Sequence, residues 1–233
     1  MNQQTSRNRQ RIEVRKLIEN YNLSQTLAYR VVNKEMTLKE AIVQQNLEAE
    51  IDNLVSEHQL NRSLATQIVH GQLDKDLSLR KHYSKRHLVE HKEQNIWDKA
   101  IVEGATLRLY LHGQIHKDVK VVAVDAYMIQ LDTDETIHKL QIKMAHWITS
   151  SVVLNQLEAA SCPPIERPEN RFRMSNVRLY QWFDSKTPLL FDALEGLQAT
   201  GVIQWFNQWE IKVQTDNGPL HLFRHALSNI SRG

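Results

Sequence analysis

Cysteine is nearly missing from this chain: Cys162 stands alone among 233 residues. One thiol cannot build an internal disulfide framework, which fits a reducing compartment. No apolar run approaches the roughly 20 residues that cross a bilayer, so no membrane association is expected. The opening MNQQTSRNRQ lacks the apolar segment of a secretory signal, and a cytoplasmic protein is the expectation. Excess charge of one sign is absent too. With 29 Lys+Arg against 27 Asp+Glu, the net charge of +2 says little about partners. No Ser-His-Asp arrangement, phosphate-binding glycine loop, paired carboxylates or Cys/His metal spacing occurs, so the chain reads as a non-enzyme with no metal and no cofactor. What remains is ample for a core: 41% of residues are hydrophobic, enough for one or two domains.

The N-terminal third holds one glycine, Gly71, and no proline between Arg11 and Glu90. Its Glu, Gln, Lys and Leu content predicts helices. A repeat runs at a spacing of 37 residues, with LSQTLAYRVVNKEM from Leu23 matching LNRSLATQIVHGQL from Leu60. Ser24 and Asn61 are the expected N-caps, and turns are expected near Asn33–Lys34 and His70–Gly71. A further helix, Leu38–Glu50, follows the first copy. The apolar stripes are expected to form core, and the competing reading is a module that docks a protein partner or touches nucleic acid. Arg7, Arg9, Arg11, Arg15 and Lys16, and again Arg80, Lys81, Lys85 and Arg86, offer phosphate attraction or plain solvated faces. His82, His87 and His91 carry no companion that would make a metal site.

The stretch Gly196–Ile230 changes period. It reads as three strands, Leu197–Phe206, Trp209–Thr215 and Leu220–Ile230, with a turn at Asp216-Asn217-Gly218-Pro219 whose Asn-Gly pair tolerates positive φ. Asn207, Gln208 and Trp209 mark one bend, and Arg224 and His225 fall near the other end. An aromatic plane, an amide, a guanidinium and an imidazole are the groups a pocket for one splayed-out nucleobase and its phosphate requires.

WFNQWEI and FRHALSNI resemble the two halves of the Sm-like signature, most closely that of the bacterial RNA chaperone Hfq family. The resemblance covers about forty residues. It implies that Trp209 stacks on a uridine, Gln208 contacts the base, and Arg224 and His225 bind base and phosphate, with Asn207 where the family has aspartate. It further implies five-stranded, strongly bent barrels that assemble into rings by pairing the fourth strand of one with the fifth of the next.

Asn95–Ser150 repeats this plan. Ile96–Val102 predicts a short helix. Leu107–Leu111, Val119–Val124, Tyr127–Leu131 and Ile137–Ile148 predict strands around a turn at Thr133–Glu135. LYLHG and VDAYMIQL resemble the family's first strand and bend. Tyr127 and Lys143 match its aromatic and basic positions, and Tyr110 matches the first-strand tyrosine that stacks adenines. Ala126 and Met144 replace the glutamine and histidine, so this copy's site is impaired, and Val119 stands where the second copy keeps Gly201. Asp192 replaces the adenine-stacking tyrosine in the second copy. Ser175–Asp184 predicts a helix capped by Ser175 or Asn176, followed by a strand at Leu189–Leu194.

The expected organisation is therefore α+β: a helical repeat module (1–92), a first Sm-like domain with a degenerate site (93–154), a linker (155–174) and a second Sm-like domain (175–233). The expected function is binding of short uridine-rich single-stranded RNA in post-transcriptional regulation. The expected partners are RNA and further copies of this chain, three of which would present six folds as a pseudo-hexameric ring. The alternative is an assembly protein whose folds oligomerise and whose helical repeats recruit a protein.

Overall fold

The computed structural model describes residues 2–113 and 115–233, with residues 2–6 as backbone only; Met1 and Gln114 lie outside the described residues. The chain divides into two compact units, Met1–Leu79 and Arg80–Gly233. Seven α-helices and eleven strands occur among the described residues, and the strands pair antiparallel in one continuous sheet. The class is α+β. The division between units falls inside a helix, not at residue 92.

The first unit contains α1 (Asn2–Tyr21), α2 (Gln25–Val32), α3 (Leu38–His58), α4 (Arg62–Val69) and the start of α5 (Lys75–Glu90). Its repeat is carried by backbone as well as by sequence. Ser24 and Asn61 accept the Leu27 and Leu64 amides as N-caps. At the other end of each short helix, Lys34 N–H donates to Val31 and Gly71 N–H to Ile68, both at 3.0 Å. Lys34 (φ 62°) matches Gly71 (φ 69°), and Asn22 (φ 53°) matches Gln59 (φ 55°). Helix α3 closes the first copy and opens the second. The apolar stripes are core: Val14, Leu23, Leu27, Ala28 and Ala41 form one cluster, and Ile51, Leu54, Leu60, Ala65 and Ile68 the other. Each stripe packs with the long helices of its own copy, because a one-sided helix of eight residues must bury that side against its neighbours.

The second unit opens with the rest of α5 and then runs through the same plan twice. Helix α6 (Ile96–Glu103) precedes β1 (Thr106–Leu111), β2 (His116–Val124), β3 (Met128–Leu131), β4 (Thr136–His138) and β5 (Ile142–Trp147). After β6 (Asn155–Gln156), helix α7 (Asn176–Asp184), capped by Ser175, precedes β7 (Leu189–Ala193), β8 (Leu197–Phe206), β9 (Glu210–Thr215), β10 (Gly218–Phe223) and β11 (Leu227–Arg232). Spatial order is β11-β7-β8-β9-β10-β5-β1-β2-β3-β4. Each half thus has its fifth strand beside its first, and the halves join where β10, a fourth strand, pairs with β5, a fifth. The two ends of this path are β4 and β11, and β6 pairs with β8 off it.

Both expected terminal strands prove to be two. Ile137–Ile148 breaks at a 3-10 turn, Lys139–Gln141, and Leu220–Ile230 breaks at another, Arg224–Ala226. Such a turn carries the chain around a corner without a glycine or proline, so periodicity alone does not show it. The second strand of each half bends. The first part of β8 pairs with β7 and the last part with β9, the change falling at Gly201 and Val202. A Cβ on Gly201 would stand 2.4 Å from the Gln214 carbonyl oxygen, so the close approach requires glycine. Val119 occupies this place in β2. A bulge follows at the same point in both, between Ile203 and Trp205 and between Val121 and Ala123. In the hairpin β9–β10, the positive φ belongs to Gly218 alone and not to Asn217. The segment 155–174 is more than a tether, since β6 pairs with β8.

Candidate nucleic-acid interface

The bend after β8 is built by one side chain. Asn207 is buried, and its Oδ1 accepts the amides of Trp209 (2.8 Å) and Glu210 (2.9 Å), closing an Asx turn. That turn throws Trp209 outward, 64% exposed, with Gln208 exposed beside it. The Arg224 amide donates to the Trp209 carbonyl at 2.9 Å, which brings the 3-10 turn before β11 against the bend.

The first half repeats each contact. Asp125 Oδ1 accepts from Tyr127 and Met128, both at 2.7 Å, and Tyr127 is 70% exposed. Lys139 N–H donates to the Tyr127 carbonyl at 2.7 Å. The backbone equivalent of Arg224 is therefore Lys139, not Lys143. Lys143 lies on β5, buried, with its ammonium 2.5 Å from Glu195. Two features escape a sequence reading: His138 lies with its ring nearly parallel to that of Tyr127, centroids 6.3 Å apart, and the Lys139 ammonium reaches the Asp125 carbonyl.

Arg224 and His225 face inward. The Arg224 guanidinium donates to Asn176 Oδ1 (2.9 Å), the Asn207 carbonyl (2.8 Å) and the Met174 carbonyl (3.1 Å), tying the start of α7 to the bend. His225 Nε2 lies 3.0 Å from the Ile142 carbonyl, and burial drives its pKa down to about 4. The ring is neutral at pH 7, so Nε2 carries the hydrogen and donates it. Structure thus brings Asn207, Trp209 and Arg224 into one cluster with His225 next in the chain; Trp209 and Gln208 are exposed, Arg224 and His225 half-buried, and Asn207 buried. Tyr110 stands apart, half-buried, its hydroxyl 3.3 Å from His146 Nε2. It lines a cleft of about 190 Å³ with Ile115, His116, Gln156 and Leu197. Its counterpart Asp192 is held by Gln198 and Asn229.

Among the described residues one His/Cys/Glu group has ligand atoms within 4.8 Å of one another: His112, Cys162 and Glu195. It is a poor fit for a cation. Glu195 already accepts from the Gly113 and Cys162 amides, the Ser161 hydroxyl and the Lys143 ammonium.

No protein-family model matches this sequence, and no curated protein matches it. Among solved structures, a 1.55 Å crystal structure of the pleiotropic translational regulator Hfq is similar over 23% of this chain and 90% of its own, at 20% identity and a TM-score of 0.23.

Proposed function

We propose that the second unit is a tandem of Sm-like folds that binds single-stranded, uridine-rich RNA, without catalysis, in post-transcriptional regulation. The observation that carries this reading is the pair of outward aromatic rings, Trp209 and Tyr127, raised by the same Asx turn in each half and backed by the same basic 3-10 turn. Exposed aromatic planes are sequence-tolerant stacking platforms for unpaired bases, worth ~1–3 kcal/mol per base. Trp209 and Gln208 are the contacting groups of the stronger site. Arg224 and His225 act from behind, since their donors are committed to protein carbonyls. Tyr127, set against His138, is the weaker platform.

The test is titration of the full chain with labelled oligouridine. Trp209→Ala should weaken binding by about fivefold to over a hundredfold, the factor corresponding to ~1–3 kcal/mol. Equal affinity of variant and wild type would remove the site assignment.

A second reading, self-assembly, is favoured by the strand order. Edges β4 and β11 are a fourth and a fifth strand, the same kinds that pair internally as β10 and β5. A head-to-tail contact between chains would repeat that junction and seal both edges, and three chains would close six folds into a ring. As an assembly protein alone, the chain would purify free of RNA, and its 260/280 nm absorbance ratio would be that of pure protein. The helical repeats would then recruit a protein partner.

A further inference from the structure

Asn207 does more than close its own turn. Its Nδ2 donates to the Gln94 carbonyl at 2.7 Å and to the His91 carbonyl at 3.3 Å. One residue back along the chain, the Phe206 amide donates to His87 Nε2 at 3.2 Å. The His87 ring is buried against Phe206 and Phe183, with centroids 4.4 and 4.5 Å away. Residues 87–94, at and just past the end of α5, therefore grip the bend at two successive residues. The grip explains why the two bends differ. Asp125, at the equivalent place, has no hydrogen to donate; an aspartate at 207 would set a carboxylate against two carbonyl oxygens.

We propose that residues 87–94 form a latch holding the Trp209 bend in its outward, base-presenting form, that Asn207 and His87 are its positioning residues, and that acid opens it. The RNA consequence rests on the function proposed above; the latch itself does not.

Acid acts through His87. Accepting the Phe206 amide requires an unprotonated Nε2, and a second proton would both remove that acceptor and charge a ring lodged among aromatics. Burial first, then His91, pull its pKa down to about 4; Glu90 pulls upward, and Lys186 adds a further downward pull. Tyr180 also packs edge-on against the ring, centroids 5.9 Å apart.

Amide hydrogen exchange on the full chain, expressed as protection relative to the unfolded peptide, tests the latch. In the wild type, Phe206 protection should fall at least tenfold between pH 6 and 4 while Val213, inside the sheet, stays protected. Asn207→Asp should lower Phe206 protection at pH 7 by a similar factor. His87→Gln keeps a neutral acceptor and should abolish the acid limb. Phe206 protection that holds to pH 4 in the wild type, or an acid limb unchanged in His87→Gln, overturns the latch; should Asn207→Asp fail to fold, these two measurements decide alone. Oligouridine affinity at pH 7 should fall several-fold in Asn207→Asp. Wild-type protein that shows the acid limb but holds no oligouridine refutes the RNA reading and leaves the latch standing.

Discussion

Glu195 occupies the turn after β7, where φ is 62°, a conformation that costs an L residue roughly 1–2 kcal/mol. Its equivalent in the first half is Gly113, at φ 80°. A glutamate is tolerated there because its buried carboxylate joins three elements: Lys143 on β5, the Gly113 turn and the 161–162 segment. Burial alone would raise its pKa, but the ammonium and the three neutral donors win and hold it at about 2. Glu195→Gln would leave the Lys143 ammonium buried without its counter-ion. Breaking one side of such a pair costs about 3–5 kcal/mol, which a chemical melt of the variant should show. Nothing local in the sequence announces this pair, whose members lie 52 residues apart.

The short helices of the N-terminal unit end on a left-handed residue, supplied by Gly71 in one copy and by Lys34 in the other. Lys34→Gly should therefore stabilise the first copy, by about 0.5–1 kcal/mol after the entropy that glycine adds to the unfolded chain is subtracted. Denaturant unfolding checks it; a loss of stability would show that the Lys34 side chain matters more than its backbone. The elements around α5 and β11 are acid-sensitive for a common reason. His87 and His225 both have pKa values near 4 when folded, below the unfolded value of 6.5, so between those values the unfolded chain binds more protons. Their contribution is complete above pH 6.5 and is lost as pH falls toward 4. Glu195, also depressed, adds a loss between pH 4.5 and 2. The melting temperature should be level near pH 7–8 and decline below pH 6.5; a maximum near pH 5 would contradict both histidine assignments.

At the scale of the whole molecule, assembly turns on the two end strands of the ten-strand path, β4 and β11. Lys139 N–H and the Glu135 carbonyl point at β3, so the alternating amides of Thr136 and His138 point outward from the edge. Thr136→Pro removes an outward donor while sparing the β3 ladder, and an outward-facing position on an edge strand accepts proline. If chains join through β4 and β11, this variant should keep its fold and its RNA contact yet sediment as one 27.2 kDa chain, while the wild type sediments at three times that mass. A monomeric wild type would end the ring proposal.

The sequence by itself determined the parts that depend on local rules. The 37-residue repeat, the caps at Ser24, Asn61 and Ser175 and the break at Asn207 all follow from short-range periodicity and capping, while the matching bend in the first half and the glycine at the crossing of β8 were legible through the family resemblance. Tertiary structure decided what those rules do not reach. Which basic residue stands behind Tyr127 depends on a 3-10 turn that shifts the register from Lys143 to Lys139. Whether Arg224 and His225 face solvent or protein depends on carbonyls supplied by residues 142, 174 and 207, distant in sequence. The amide at position 207 has its reason in a turn just past the end of α5, more than a hundred residues earlier. Hydrogen-bond partners of that separation are chosen by the packed fold, because only there do the donors and acceptors meet away from water.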